Sequence, residues 1–226
     1  MDKKAFSLVR AFFREKPAQI IGLVVLMLLL TFGERELSDI LTDADWVYAD
    51  YGLALIRMIL QSALSTVLVL SWHKRKGDAA PFSAVDILKI FVPTLLMTVS
   101  ITFCMVLLVT IPLGVWLYLR TDFFMNFYIT GRSNGVFSCV GASFRATKGM
   151  AKRYLAYNVK YLSFYFLVEV LMALFAAAQA LKPISPQISA VLDGFDAVFL
   201  SLFMPYRYLI KCAFYDVYLH KEKKNG

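Results

Sequence analysis

Residues 52–76 read GLALIRMILQSALSTVLVLSWHKRK, and this stretch decides the fold. Its apolar part is interrupted by one charge, Arg57, and is as long as the ~20 residues that an α-helix needs to cross a bilayer. It ends in the basic run His73-Lys74-Arg75-Lys76. Because Lys and Arg collect at the cytoplasmic ends of membrane spans, the stretch predicts a transmembrane helix that ends in the cytoplasm.

Similar apolar stretches recur along the whole chain, which is 59% hydrophobic and only 18% charged, with a mean hydropathy of +0.63. This composition is more apolar than that of a soluble domain. It predicts an all-α fold, a polytopic transmembrane helical bundle of about six spans with short cytoplasmic amphipathic helices. We expect residues 1–226 to form a single integral membrane domain. The predicted spans are residues 17–33, 52–72, 91–111, 115–131, 154–181 and 195–219.

The basic residues predict the orientation of the bundle. Of the 24 Lys and Arg residues, 17 lie in four predicted inner segments, two in outer segments and five inside spans. The inner segments are residues 1–16, 73–89, 132–153 and 220–226. This bias places both termini in the cytoplasm and favours an even number of spans. We therefore predict a multi-pass protein of the bacterial cytoplasmic (inner) membrane.

The region between Lys89 and Arg120 is uncharged and longer than one span. Pro112 and Gly114 predict a tight outer turn at residues 111–114, so that the chain crosses twice. The alternative is one long tilted or kinked helix, with residues 121–131 lying at the interface. The sequence leaves open which of the two forms.

Short polar segments flank the predicted spans. In residues 3–16 and 136–148 the spacing of polar and apolar residues places them on different faces of a helix, which is typical of amphipathic helices at a membrane interface. Ser83 and Asp86 have the spacing of a capping box at a helix start. Residues 34–50 carry six of the 16 acidic residues and predict an outer loop.

Residues for catalysis or metal binding are scarce in the sequence. The histidines, His73 and His220, stand at predicted cytoplasmic span ends, where an interfacial position is expected. The three cysteines are far apart and lack the spacing of a metal site. Basic residues scattered over short segments do not resemble a nucleic-acid footprint. We predict no catalytic residue, metal, cofactor or nucleic-acid partner.

Charged residues inside the predicted spans are the informative feature, because a charge in hydrocarbon costs ~2.5–3.5 kcal/mol on insertion scales and usually faces the bundle interior or water. We expect two of them, Arg57 and Arg120, in the outer third of the membrane. Asp122, Glu169 and Arg207 are expected near its middle. The candidate ligand-binding residues are Arg57, Arg120, Asp122, Lys160, Glu169, Arg207 and Lys211.

Two interpretations of these charges stay open. In the first, they form buried ion pairs that fix the helices, for example Glu169 with Arg207, and Asp122 with Arg120 or Arg57. In the second, the excess of cations over acids inside the spans binds an anionic headgroup or substrate. Both interpretations place charged side chains inside the bundle, and the sequence is compatible with either.

Short motifs in the C-terminal two-thirds resemble a known family. They are IPLGVWLYLR at residues 111–120, SFRATKG at 143–149, Pro205-Tyr206, and AFY at 213–215. Over roughly residues 85–219 the chain is similar to a bacterial family of uncharacterised six-span integral membrane proteins. That family is distantly similar to the membrane domain attached to some glycerophosphodiester phosphodiesterases. The resemblance implies an all-helical fold and brings no known catalytic residues.

These observations lead to two functional hypotheses. The first is a non-enzymatic membrane protein that binds an anionic lipid or amphiphile, or acts as an accessory subunit of a protein partner in the membrane. The alternative is a small transporter or permease-like protein with a polar site near the bilayer midplane. In both, membrane lipids are expected partners.

The charge bias gives a labelling prediction for the topology. In a variant whose native cysteines are replaced by serine, a membrane-impermeant thiol reagent added outside should modify Asp43→Cys. The same reagent should leave Lys76→Cys and Asn225→Cys unmodified until the membrane is permeabilised. Modification of Lys76→Cys in sealed cells would reverse the predicted orientation.

Overall fold

The computed structural model describes residues 2–43, 49–106, 111–131, 135–181 and 185–219. Apart from short connections this described part is helical, and it contains no strand. The helices are α1 (Asp2–Glu15), α2 (Pro17–Asp43), α3 (Ala49–Arg75), α4 (Ala84–Val106), α5 (Ile111–Thr121), α6 (Phe124–Ile129), α7 (Val136–Ala146), α8 (Ala151–Leu181) and α9 (Pro186–Phe214), and a π-helical turn (Tyr215–Leu219) follows α9.

Within the described residues, four helical segments are long and apolar enough to cross a membrane. They are Pro17–Glu34, Leu55–Arg75, Ala84–Ile101 and Gln187–Leu219. Large apolar side chains on these helices are exposed, among them Leu29 (64%), Phe103 (66%) and Val191 (71%). A surface this apolar is suited to lipid rather than water. The all-helical prediction is confirmed, and the four helices indicate a membrane-embedded protein.

The predicted acidic loop at residues 34–50 is largely helical. Helix α2 continues to Asp43 and α3 begins at Ala49, so that residues 44–48 alone of this loop lie outside the described residues. Glu34 of α2 pairs with Arg57 of α3 at 2.8 Å. The prediction of a loop was wrong here because Glu and Arg favour helix, and an ion pair between neighbouring helices supports the extension.

The predicted turn at residues 111–114 was also wrong, since Pro112 and Gly114 lie in the first turn of α5. Proline is favoured in a first helical turn, because the backbone N–H that proline lacks would have no hydrogen-bond partner within the helix there. Helix α5 packs beside α4, and Thr121 at its end lines a cavity with Met97 near the middle of α4. Because few residues join the two helices, they must run in opposite directions. The connection, residues 107–110, lies outside the described residues.

The buried core is concentrated at one end of the bundle. It is built from α1, α6, α7, the C-terminal ends of α3 and α9, and the N-terminal end of α8. Its largest fully buried side chains are Trp72, Tyr154, Tyr215, Phe12, Phe123 and Phe214. At its centre the Phe123 ring lies 4.7 Å from the ring of Tyr154 and 5.7 Å from that of Phe214. These elements carry or adjoin the segments predicted to be cytoplasmic.

Helix α1 forms where the amphipathic pattern predicts a helix. Ala5, Val9 and Phe12 are buried in the common core, and Lys3 and Lys4 are exposed on the opposite face. Helix α1 contacts α2, α9 and the π-helical turn, so its apolar face packs on protein. Its predicted position at a membrane interface stays a prediction, as does that of α7.

The connection from α3 to α4 contains two features that fix its path. The predicted capping box is confirmed, because the Ser83 amide donates to Asp86 Oδ2 at 2.8 Å. Asp86 also accepts a hydrogen bond from the Tyr128 hydroxyl at 2.6 Å.

Gly131 follows α6 with a φ of 62°, and a Cβ there would lie 2.8 Å from the Cβ of Ala80. Glycine is therefore required at 131 for both conformation and space.

Gly131 and Gly149 form a matched pair for a stability test, because both have positive φ but a Cβ at Gly149 (φ 82°) meets nothing within 4 Å. Gly149→Ala should cost ~1–2 kcal/mol from backbone strain alone. Gly131→Ala should cost distinctly more, because Ala80 must also move. Melting temperatures in detergent measure the difference, and equal losses would contradict the close approach of Ala80.

Candidate functional site

The structure separates three of the candidate residues from the others. Arg57 pairs with Glu34, and Lys160 lies exposed with its ammonium 5.3 Å from the Tyr161 ring. Arg120 donates to the carbonyl oxygen of Phe144 in α7 at 3.1 Å. We expected Arg120 near the outer surface, but it contacts a segment predicted to be cytoplasmic. The reason is that α5 begins at Ile111, so Arg120 lies at its far end.

Asp122 brings α5, α8 and α9 together. It follows the last residue of α5 and accepts hydrogen bonds from the Tyr154 hydroxyl of α8 and from the Lys211 ammonium of α9. The Lys211 and Asp122 side chains are 7% and 8% exposed. The predicted pairing of Asp122 with Arg120 or Arg57 was therefore wrong. Residues two apart do not share a helix face, and Arg120 accordingly contacts α7 instead.

Arg207 lies one helical turn before Lys211 and has a different environment. Its guanidinium donates to the Tyr165 hydroxyl at 3.3 Å and lies 5.7 Å and 5.5 Å from the rings of Tyr118 and Tyr165. Its Nε atom is buried without a hydrogen bond. Among the side chains that the structure describes, no carboxylate forms an ion pair with Arg207.

Glu169 lies in α8, but its side chain is outside the part of the structure that is described. The predicted pair of Glu169 and Arg207 therefore stays a prediction. In sequence Glu169 follows Tyr165 by four residues, which places it on the helix face that carries Tyr165.

Two cavities meet at Arg207. The smaller has a volume of about 200 Å³ and is polar on one side, where Asp122, Arg207 and Lys211 line it. The larger has a volume of about 790 Å³ and a mostly apolar lining from α4, α5, α8 and α9. Arg207 and Tyr118 line both cavities. The pair thus forms a boundary between a small charged space and a large apolar one.

The larger cavity also contains polar atoms without hydrogen-bond partners in the described structure. These are the Tyr118 hydroxyl and both side-chain polar atoms of Asn158, all buried. A buried polar group without a partner costs ~1–3 kcal/mol, so these two side chains, together with Arg207 Nε, would stabilise a polar group placed between them.

The wall that α8 contributes to the larger cavity faces outward as well. Four apolar lining residues of α8 are exposed, namely Leu155 (43%), Val159 (56%), Phe166 (37%) and Val170 (55%). The α8 wall of the larger cavity is therefore apolar on its outer surface as well as on the side that lines the cavity.

The tyrosines of the site were missed by the sequence analysis, although a signal was present. Tyr154, Tyr157, Tyr161 and Tyr165 recur at three- and four-residue intervals, which places them on one face of α8. Two of them, Tyr154 and Tyr165, hold Asp122 and Arg207. The sequence analysis considered only the charged residues of the predicted spans, so these hydroxyl groups were overlooked.

His73 is enclosed by protein, and its expected position at a membrane interface stays a prediction. It is fully buried, its Nε2 lies 2.9 Å from Asn126 Oδ1, and its ring contacts the edge of Tyr215. The nearby Asp216 carboxylate accepts from Trp72 Nε1 and Lys76 Nζ, both at 2.5 Å. These contacts join α3 to the π-helical turn. No group of three or more metal-ligating side chains occurs in the described ranges.

The Asp122–Lys211 pair gives a stability prediction. Asp122→Asn and Lys211→Met should each cost ~3–5 kcal/mol, because each leaves a buried charge without its partner. The double variant should lose less than either single variant. Unfolding in a mixed-micelle titration with a denaturing detergent measures the three values. Additive losses would mean that the two side chains do not interact.

Comparison with known proteins adds no assignment to this geometry. No family model, no curated protein sequence and no solved structure matches the chain.

Proposed function

We propose that this protein is a non-enzymatic membrane protein that binds an anionic amphiphile from the bilayer. The observation that carries the proposal is the position of Arg207, between a charged cavity of about 200 Å³ and an apolar cavity of about 790 Å³. A ligand with an anionic head and a hydrocarbon tail matches both spaces. The larger volume lies within the ~300–1,000 Å³ of typical small-molecule sites.

The polar contacts available to the headgroup come from three helices. Arg207 of α9 supplies a charge whose Nε proton is not used, and Tyr118 of α5 supplies a free hydroxyl, both at the boundary of the two cavities. Asn158 of α8 supplies an amide from the larger cavity, where it would meet the part of the headgroup that joins the tail. Charge-assisted hydrogen bonds to an arginine are among the stronger ones in proteins. The apolar tail would pack against Val115, Val159 and Val170, which line the larger cavity.

The topology that goes with this proposal is six spans in a bacterial inner membrane, with both termini in the cytoplasm. The four apolar segments supply four of these spans. Helix α8 is 31 residues long, enough for a fifth. Helices α5 and α6, interrupted after Asp122, would form the sixth and shortest. The end of the bundle that carries the basic segments would then be the densely packed end.

A small transporter is the alternative function, and helix continuity argues against it. Transporters of the inverted-repeat type use opposed broken helices around a midplane site. Pro93 and Pro205 are the residues of the described spans best suited to such breaks. Helices α4 and α9 nevertheless continue through both. A break beside the site occurs between α5 and α6, and no opposed partner for it is present in the described helices.

The proposal predicts that Arg207 controls anionic amphiphile binding. Purified protein in a neutral detergent should bind phosphatidylglycerol in preference to phosphatidylcholine by native mass spectrometry. Arg207→Gln should weaken phosphatidylglycerol binding by about tenfold or more, since a buried charge-assisted hydrogen bond contributes ~1.5–3 kcal/mol. Arg10→Gln removes an exposed arginine of α1 and should leave binding unchanged.

A second matched pair tests the apolar half of the site. Val159→Trp fills the larger cavity from α8, whereas Val191→Trp changes an exposed valine of α9 that is not in its lining. Only the first should reduce binding. The proposal would be overturned if Arg207→Gln and Val159→Trp both bound phosphatidylglycerol as tightly as the native protein does. Movement of labelled phosphatidylglycerol between vesicle leaflets, dependent on Arg207, would favour the transporter instead.

A further inference from the structure

The small cavity at Arg207 contains an unequal set of charges. Two cations, Arg207 and Lys211, and one carboxylate, Asp122, line it. Asp122 is committed to Lys211 by a direct ion pair. The described side chains therefore leave one net positive charge in the cavity, and it belongs to Arg207.

We propose that this site selects amphiphiles with a single negative charge, and that Asp122 is the residue that sets this specificity. The inference rests on the proposed function, because it concerns the ligand of the same site. The selected headgroups are carboxylates and phosphodiesters. The site discriminates against a phosphate monoester, which carries about −1.5 to −2 charges near neutral pH.

The Lys211 ammonium already has partners within the protein. Its ammonium is bonded to Asp122 and lies 5.4 Å and 5.0 Å from the rings of Tyr118 and Tyr208, so its remaining surroundings are aromatic. On the other side, the Tyr154 hydroxyl donates to the same carboxylate. The carboxylate thus accepts hydrogen bonds from two helices at once. Lys211 is thus already neutralised before a ligand arrives.

Because the Asp122–Lys211 pair is buried, the number of negative charges on a ligand should affect its affinity for the site. With both side chains less than one-tenth exposed, water screens them poorly, and charges interact more strongly than at a surface. A single negative charge is balanced by Arg207. A second one would lie in the cavity that Asp122 lines, without a free cation to balance it. Repulsion of a wrong partner by an unpaired like charge is a common source of specificity.

Four forms of the site differ in charge and test this inference. Counted over the described side chains, the native site has one net positive charge, Asp122→Asn has two, Lys211→Met has none, and the double variant again has one. The probes are phosphatidylglycerol and phosphatidic acid with the same oleoyl chains, and oleate. Binding is compared by native mass spectrometry in neutral detergent at about pH 8.5, well above the phosphate monoester pKa of ~6.

The native protein should bind phosphatidylglycerol about tenfold or more tightly than phosphatidic acid, a difference of ~1.4 kcal/mol. Asp122→Asn should shift the ratio of the two affinities toward phosphatidic acid by about tenfold. The double variant should return the ratio to its native value. Lys211→Met should weaken all three ligands, because Asp122 then faces the headgroup unpaired. A ratio of affinities in one sample does not depend on the folded fraction, so loss of stability does not hide the result.

The outcomes separate the inference from the proposed function. If Arg207→Gln abolishes binding but Asp122→Asn leaves the affinity ratio unchanged, the amphiphile site stands and the charge selection is wrong. If the native protein binds both phospholipids equally, the selection is also wrong. If Arg207→Gln changes nothing, the site itself is wrong. Selective binding of oleate over phosphatidylglycerol would support a fatty acid as the monoanion, and the reverse would support a phosphodiester lipid.

Discussion

The hydrogen bonds to the buried carboxylate of Asp122 hold α5, α8 and α9 together, and the candidate site depends on them. Asp122 sits where α5 ends and takes hydrogen bonds from Tyr154 of α8 and Lys211 of α9, so one buried group fixes three helices. A buried charge is tolerated only with such partners. Because Asp122 is satisfied by Lys211, Arg207 one turn earlier has no described carboxylate. The pairing that stabilises the fold thus also produces the site.

A second polar cluster lies at the π-helical turn. Asp216 accepts hydrogen bonds from Trp72 of α3 and from Lys76 just after α3, and the adjacent Tyr215 hydroxyl lies 3.1 Å from the Thr130 hydroxyl after α6. Both residues belong to the π-helical turn that follows α9. A π-helical turn fits an extra residue into a helix. Here two consecutive side chains, Tyr215 and Asp216, bond to different helices.

The sequence predicted the parts of the fold that depend on local composition. Apolar runs of bilayer length, the Ser83–Asp86 cap and the helical character of residues 3–16 depend on nearest neighbours along the chain, and they appear as expected. Contacts between distant residues were not predictable in the same way. Nothing local indicates that Asp122 meets Lys211, or that His73 is buried against Asn126. The candidate set contained Asp122, Arg207 and Lys211 but could not separate them from Arg57, Arg120 and Lys160.

The uneven distribution of the core has a mechanical consequence. Side chains are interlocked at the end that contains Phe123 and Tyr215, whereas the far halves of α8 and α9 present rows of exposed apolar residues such as Leu174 and Val191. Close packing resists deformation, so such a bundle should be stiffer at the first end than at the second. A change in bilayer thickness should therefore deform mainly the less densely packed halves of α8 and α9.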